Sequence, residues 1–402
     1  MDRSLTLCAA VLVAAASTLA AQAEKTEKPG RRRAKPANPP IRLVQIADLH
    51  GGERAFARGL HVLFDRVNAA GGVAGRKIEL HSIDDHGEAK EARAALSEVL
   101  SRPQTKLGMF IGLGAAATDA KSIALIQGKG IPVFAAHTSR VDVRNRAYAG
   151  VYFLTANLDV ELQLLVKRMQ SNKITKVAGL FPQNDSGLAA EQALKRIAKA
   201  AKLTVGQSGF YEAGTKDVRE AVDAIAGDVP GAIVLFADTA AAARAARLIR
   251  SDKDLKKTPI FGTSLQDPQA FVRTLGSTAD DIVLTCRVPW PWKSWLPAAE
   301  AFTKDMTAAQ AEADMGFAAF EGWLAGRVFC DVIEYRIGDA PVRAEFVRGL
   351  RALEKHSVDG LPVTFSRKDQ DGIDFAFEVR CIAGKLEEIF PSHMLQVSTP
   401  GK

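Results

Sequence analysis

Four cysteines and seven histidines are scattered through 402 residues, and neither type clusters. Cys8, Cys286, Cys330 and Cys381 form no CxxC, which removes a dithiol redox motif and a cysteine zinc site together. No histidines fall in HExxH, the commonest zinc hydrolase pattern. A Walker lysine and a GxSxG nucleophile elbow are also missing, and no obvious nucleophile–base pair can be found. Beyond the first residues, no apolar run is long enough to cross a bilayer. These gaps leave little for metal, redox or covalent chemistry, so neither a cofactor nor a metal is expected, and no catalytic residue.

What remains is an ordinary globular balance, 47% hydrophobic and 25% charged, with a net charge of +7. This length suggests about two to three domains, and it can bury a core without help from disulfides.

Residues 1–23 read as a secretory signal peptide. Arg3 precedes the apolar run LTLCAAVLVAAASTLA, and Ala21, Gln22 and Ala23 supply a small-x-small cleavage site. A membrane anchor or a buried helix is the alternative. Leu7 before Cys8 argues against lipid attachment. Cleavage would leave Cys286, Cys330 and Cys381, enough for one oxidised pair and one free thiol in an exported chain.

Residues 24–40 follow as a basic, Pro-rich leader. Lys25, Lys28, Arg31, Arg32, Arg33 and Lys35 stand against Glu24 and Glu27, a net +4, and four prolines keep the segment extended and unpacked. A solvated leader is the simpler reading, contact with lipid or nucleic-acid phosphates the other. The basic balance belongs mostly to this leader, so no nucleic-acid partner is expected.

From about Ile41 the pattern alternates. Phe56, Leu60, Leu63, Phe64 and Val67 share one helical face. Asn68, Gly71, Gly72 and Gly75 suit a helix end and a reversal, and Arg76 to Ile83 reads as a strand. Another helix follows around Ala92 to Leu100, then a strand at Leu107 to Ile111, a helix, and a strand at Ile131 to Ala135. The period restarts with a strand at Val177 to Phe181, a helix at Leu188 to Ala200, a strand from Leu203 to Tyr211, and AIVLF at Ala232 to Phe236. Such alternation predicts an α/β fold of two doubly wound parallel-sheet lobes. The last third, with a helix over Ala313 to Tyr335 and closing strands near Leu361 and Phe375, forms no array of its own and should complete both sheets.

In doubly wound sheets ligands sit beyond the carboxyl ends of the strands. Five such ends, at 112–119, 136–139, 182–187, 237–239 and 262–266, are rich in small and hydroxyl residues. Two run straight into helices, whose free N–H groups would hold a carboxylate or another acceptor. Gly112, Gly114 and Ala117 also match a dinucleotide fingerprint, but no acid ends the next strand, which argues against a nucleotide. The stretch PWPWKSW carries Trp290, Trp292 and Trp295. Trp290 either walls a cleft and stacks on a ligand or belongs to a packed surface loop.

The stretch DRVNAAGGVAGRKIEL with Asp84 and Asp85, then FIGLGAAATDAKSIALIQGKGIPVFAAHTS, then KVAGLFPQNDSG, resembles the leucine/isoleucine/valine-type periplasmic solute-binding proteins of ABC importers. The resemblance implies a type I, Venus flytrap fold whose two lobes are joined by a hinge crossed three times. It implies lobes of 41–154 plus 288–361 and of 155–287 plus 362–402. The family's turn serine falls at Ala116, leaving N–H groups at Ala117 and Thr118 and the Thr118 hydroxyl. Its paired carbonyl and hydroxyl fall near His137 and Ser139. Its second-lobe tyrosine falls at Ser186, and its ammonium-binding acid near Ser264, with Asp238 or Asp159 as replacements.

The resemblance thus implies a periplasmic monomer that clamps an amino acid or related small carboxylate or amide and passes it to ABC permease subunits in transient contact. A sensory or accessory binding protein without a permease is the alternative, and an exported enzyme would need a catalytic constellation that the sequence does not offer. The intact mass of the protein recovered after export should correspond to a chain starting at Glu24; a mass including Met1 would contradict the cleavage site.

Overall fold

The computed structural model describes residues 38–389 apart from 103–106, 139, 145–147, 216, 293–294, 354–355 and 367–368. The signal peptide, nearly all of the leader, and Ser139 lie outside the described residues.

The predicted helix–turn–strand joint is built from a few local contacts. The strand β1 (Ile41–Ala47) leads into α1 (Arg54–Ala69), which buries Phe56, Leu60, Leu63 and Phe64. Asn68 near its end receives the Ile78 N–H and donates to the Ile78 carbonyl, both at 2.8 Å, which anchors the start of β2 (Ile78–Asp84). Gly72, at φ +93°, makes the reversal, and a Cβ there would lie 2.1 Å from the Arg76 carbonyl oxygen.

The chain continues through α2 (Ala89–Ser101), β3 (Met109–Ile111), α3 (Ala120–Gln127), β4 (Val133–Phe134), α4 (Val141–Arg144) and β5 (Val151–Tyr152). The five strands form one sheet in the order β2-β1-β3-β4-β5, all parallel, with Ile41 opposite Ile78 and Ala47 opposite Asp84.

The second array runs α5 (Leu158–Ser171), β6 (Lys176–Pro182), α6 (Asp185–Ala200), β7 (Thr204–Val205), β8 (Gly209–Tyr211), α7 (Arg219–Ala226), β9 (Ala232–Leu235), α8 (Thr239–Ser251), β10 (Ile260–Gly262), α9 (Pro268–Leu275) and β11 (Val283–Cys286). The single strand expected from Leu203 to Tyr211 is two short ones, both parallel to β6. Between them Gly206 still donates to Val177 O of β6 at 2.8 Å, and Asp228 accepts the Gln207 N–H and packs where a Cβ on Gly206 would sit, at the point where the pairing breaks.

The last third is shared between the two bodies, but it adds strands to the second sheet only and not to both as the sequence predicts. The helices α10 (Pro297–Ala308), α11 (Phe317–Val332) and α12 (Val342–Arg351) join the core of the first sheet, and the hairpin of β12 (His356–Val358) and β13 (Leu361–Val363) follows. Then β14 (Phe377–Ile382) and β15 (Lys385–Ile389) extend the second sheet to β15-β14-β11-β10-β9-β6-β7, with β14 antiparallel to β11. The helix expected over Ala313 to Tyr335 begins only after Gly316, whose backbone is fully extended, and ends in a wide turn at Ile333–Ile337.

The chain therefore passes between the sheets three times. The first and third passages run side by side: the Phe153 N–H donates to Gln370 O at 2.9 Å, Gly372 to Phe153 O at 3.0 Å, and Ile373 to Leu154 O at 2.8 Å. Cys286, Cys330 and Cys381 are buried and unpaired, and burial pushes the Cys330 and Cys381 thiols up to about 12. Among the described residues no helix is long and apolar enough to cross a membrane.

The centre of the first body is the crossing of α1 and α11. A Cβ on Gly59 would lie 1.8 Å from the Ala319 carbonyl oxygen, and one on Gly322 would lie 2.0 Å from that of Phe56. Each helix thus supplies a glycine where the other's backbone approaches. Gly322→Ala should destabilise the protein by about 1–3 kcal/mol in urea melts, because one methyl cannot fit without moving a helix. An unchanged midpoint would show that the crossing is looser than described.

Candidate functional site

The carboxyl ends of the two sheets face each other across a cavity of about 530 Å³. Glu53, Ala115, His137 and Arg140 line it from the first body, and Ser186, Tyr211, Asp238 and Ser264 from the second. Arg287, just past β11 on the second passage, closes its floor with Phe317 and Glu321 of α11.

A buried polar cluster occupies that floor. Glu321 Oε2 lies 3.7 Å from the Arg287 guanidinium, and Glu321 Oε1 lies 3.3 Å from His137 Nδ1. The Thr155 hydroxyl donates to Oε1 at 3.3 Å, and Arg287 Nη1 donates to the Thr138 carbonyl at 3.3 Å. The His137 ring packs on Phe56 at 4.6 Å between centroids, which fixes its orientation. Burial alone would raise the Glu321 carboxyl, but the Arg287 guanidinium and His137 outweigh it and hold it at about 2. Nearby, Arg144 meets Asp371 at 2.8 Å and sits 4.5 Å above the Phe153 ring, while Asn157 Nδ2 donates to the other Asp371 oxygen at 2.8 Å. Burial raises the Asp371 carboxyl above its ordinary value against the pull of Arg144. These bonds tie all three passages together.

Four of the sequence-derived candidates come together at the cavity: His137, Ser186, Asp238 and Ser264. Ser186 Oγ accepts the Val141 N–H at 3.2 Å and so bridges the two bodies. Asp238 caps α8, accepting the N–H groups of Ala240 and Ala241 at 2.9 and 3.0 Å. Ser264 donates both its N–H, at 2.8 Å, and its hydroxyl, at 2.6 Å, to Glu161.

The others fall elsewhere. Ala116, Ala117 and Thr118 form a 3₁₀ turn behind the lining, with Ala117 and Thr118 fully buried. The Thr118 hydroxyl donates to Ala115 O at 3.0 Å instead of facing a ligand, because the tight turn brings that carbonyl within reach. Asp159, in the first turn of α5, pairs with Arg196 of α6, 2.5 Å away. Trp290 stands behind the lining, packed edge-on against Trp292 at 5.2 Å and against Phe317 at 6.0 Å, so it supports a wall that Phe317 presents.

Sequence reasoning missed Glu53, Glu161, Arg287, Glu321 and Tyr211. Glu161 did leave a signal: with Leu158, Leu162, Leu165 and Met169 it lies on the buried face of α5, where a carboxylate needs partners. Its partners are Ser264 and Thr285, whose hydroxyl also donates to it. Glu321 is equally out of place within the apolar α11.

A family model for periplasmic binding proteins matches residues 48–383. No curated protein matches the chain. Among solved structures, a possible leucine/isoleucine/valine-binding protein from Rhodopirellula baltica SH 1 is 18% identical with a TM-score of 0.76, over 91% of this chain and 100% of that one. A substrate-binding periplasmic protein from Ralstonia solanacearum is 21% identical with a TM-score of 0.74, over 87% and 100%. A fatty acid ABC transporter substrate-binding protein from Thermomonospora curvata is 17% identical with a TM-score of 0.71, over 89% and 94%. Identities this low speak for the fold alone, and the ligands these proteins are named for differ.

The floor cluster has a measurable signature. The folded Glu321 carboxyl lies below the ordinary glutamate value, so its stabilisation is present near neutral pH and is lost as the pH falls towards about 2. Glu321→Gln should cost about 3–5 kcal/mol at pH 7, since it strands a buried guanidinium. The gap to the wild type should narrow below about pH 4. Urea melts across pH check both; a constant gap would place the charge outside the cluster.

Proposed function

The chain belongs to the periplasmic binding protein family, and on that footing we propose that it is the solute-binding component of an ABC importer, working in the periplasm after removal of residues 1–23. Its two lobes, residues 41–154 with 288–361 and residues 155–287 with the segment from 362, close on a small polar metabolite, an amino acid or a related small carboxylate or amide. The closed form then presents the solute to a membrane permease. The observation that carries this reading is the cavity itself. It is lined by the carboxyl ends of both sheets and floored by the passages that join them, so a ligand touching both walls favours closure by its differential affinity for the closed form.

The lining mixes polar groups with a larger apolar surface and suits a small solute that carries both hydrogen-bonding groups and an apolar part. Hydroxyl, carboxylate and guanidinium groups alternate with the rings of Tyr211, Phe236 and Phe317. Binding needs no covalent step: the solute exchanges water for these groups, and the lobes move as bodies about the passages.

Native mass spectrometry of the purified protein, with small-angle scattering before and after stripping by unfolding and refolding, tests the clamp. A small co-purifying mass, and compaction when it is returned, is the expected result. A clean protein mass with no compaction across amino acids, carboxylates and amides would overturn it.

A further inference from the structure

The short helix α4 connects two strands of the first sheet, β4 and β5, yet one of its side chains is housed in the other body. Successive helical residues are turned by about 100°, so Val141 and Val143, two positions apart, face nearly opposite ways. Val143 is fully buried in the apolar core of the first body, with Ile123, Val133 and Phe153. Val141 is only 1% exposed and belongs to an apolar cluster with Leu158, Leu162 and Phe181. Among the described residues, the other members of that cluster all come from the second body.

Polar groups fasten the same helix at both ends. The Val141 N–H donates to Ser186 Oγ of α6 at 3.2 Å, and α4 lies against α6. At the other end the Arg144 side chain, 4% exposed, meets Asp371 at 2.8 Å, donates to the Thr155 carbonyl and covers the Phe153 ring. One end of α4 is thus fixed to the passages, where the bodies turn in the proposed clamp, and the other to the opposite wall. Just before the helix, Arg140 pairs with Asp142 at 2.8 Å and lines the cavity, as Ser186 does. A solute entering the cavity therefore meets both sides of this junction.

The junction is made without being strongly favoured. Docking takes the Val141 side chain out of water, which favours the joined form. Against it, Arg140 Nε and Asp142 Oδ1 are enclosed with no hydrogen-bond partner, a cost that withdrawal of the helix would recover. Opposed terms of comparable size make an element with two positions and not a rigid joint.

We propose that α4 is a latch between the lobes. With no solute present it holds them together along one side of the cavity, and opening withdraws Val141 from Leu158 and its neighbours. Val141 and Ser186 set the resting balance between the open and closed forms, and through it the concentration of solute at which the clamp closes. The proposal rests on the clamp reading and adds the restraint on its opening.

Pulsed dipolar spectroscopy on the protein stripped by unfolding and refolding tests the latch. Spin labels go on Lys121→Cys and Arg244→Cys, exposed positions in α3 and α8 on different bodies. The native Cys286, Cys330 and Cys381 are buried and stay unlabelled. The labelled parent should give one distance, and Val141→Asp, which places a charge among apolar side chains, should add a population at longer distance. Ser186→Ala, which removes the acceptor of the Val141 N–H, should shift the distribution the same way by less. It reports on the latch even where Val141→Asp does not fold, and melting curves confirm which variants are intact. Distances in the intact variants equal to those of the parent would overturn the latch, whatever the wild type does with solutes. Longer distances in the variants, in a protein that amino acids, carboxylates and amides never compact, would overturn the clamp and leave the latch standing.

Discussion

The fold depends on a buried charge that no single segment can satisfy. Glu321 enters the interior on an apolar helix, and its partners arrive from three separate parts of the chain: Arg287 on one passage between the sheets, Thr155 on another, and His137 at the end of β4. In a low-dielectric interior such a group is tolerated only when every partner is in place. The cluster thus works as a registry pin, aligning the passages before the cavity above them can take its shape. Arg144 and Asp371, joined by Asn157, repeat the device between the first and third passages.

The bodies on either side are stiff by construction. Glycines at the crossing of α1 and α11 let two backbones approach to contact, and the parallel sheets are covered on both faces. With rigid bodies above and below, the proposed closure would turn on the passages, two of which are joined by backbone hydrogen bonds between residues more than 200 positions apart. The residues that line the cavity stand at strand ends and helix starts, so each is fixed within its own body. In the proposed clamp, closure would alter their separation while leaving each local geometry intact.

Much of this was legible in advance because it is periodic. The spacing of Phe56, Leu60, Leu63 and Phe64, the reversal at Gly72 and the apolar strands that follow are short-range patterns, and they specify the alternation and the strand ends that line the cavity. The short strands were harder: Gly206 divides one expected strand because of Asp228, a partner 22 positions away. The site was only partly legible for the same reason. Ser186, Asp238 and Ser264 lie at predictable strand ends, but the partners of Glu161 are more than 100 positions downstream. Glu53 carries no periodic signal at all, since its role is set by amides of Asp48 and Ala115 that only the folded sheet brings together. The alternation was read correctly because neighbours dictate it, and the chemistry was missed where distant segments do.

The position of β14 and β15 bears on how the protein comes to exist. These last described strands form one edge of the second sheet, β14 pairing with β11, while α10 and α11 supply cover for α1 near the beginning. A chain emerging from its amino terminus therefore meets no complete body until nearly all of it is out. Up to that moment the face of α1 is bare and the edge of β11 is unpaired, so stable structure is postponed and long-range contacts dominate the folding barrier. Under the proposed export, in which the chain would be threaded unfolded through a translocation pore, such lateness is an advantage, and it brings a need for protection of the apolar segments during the interval.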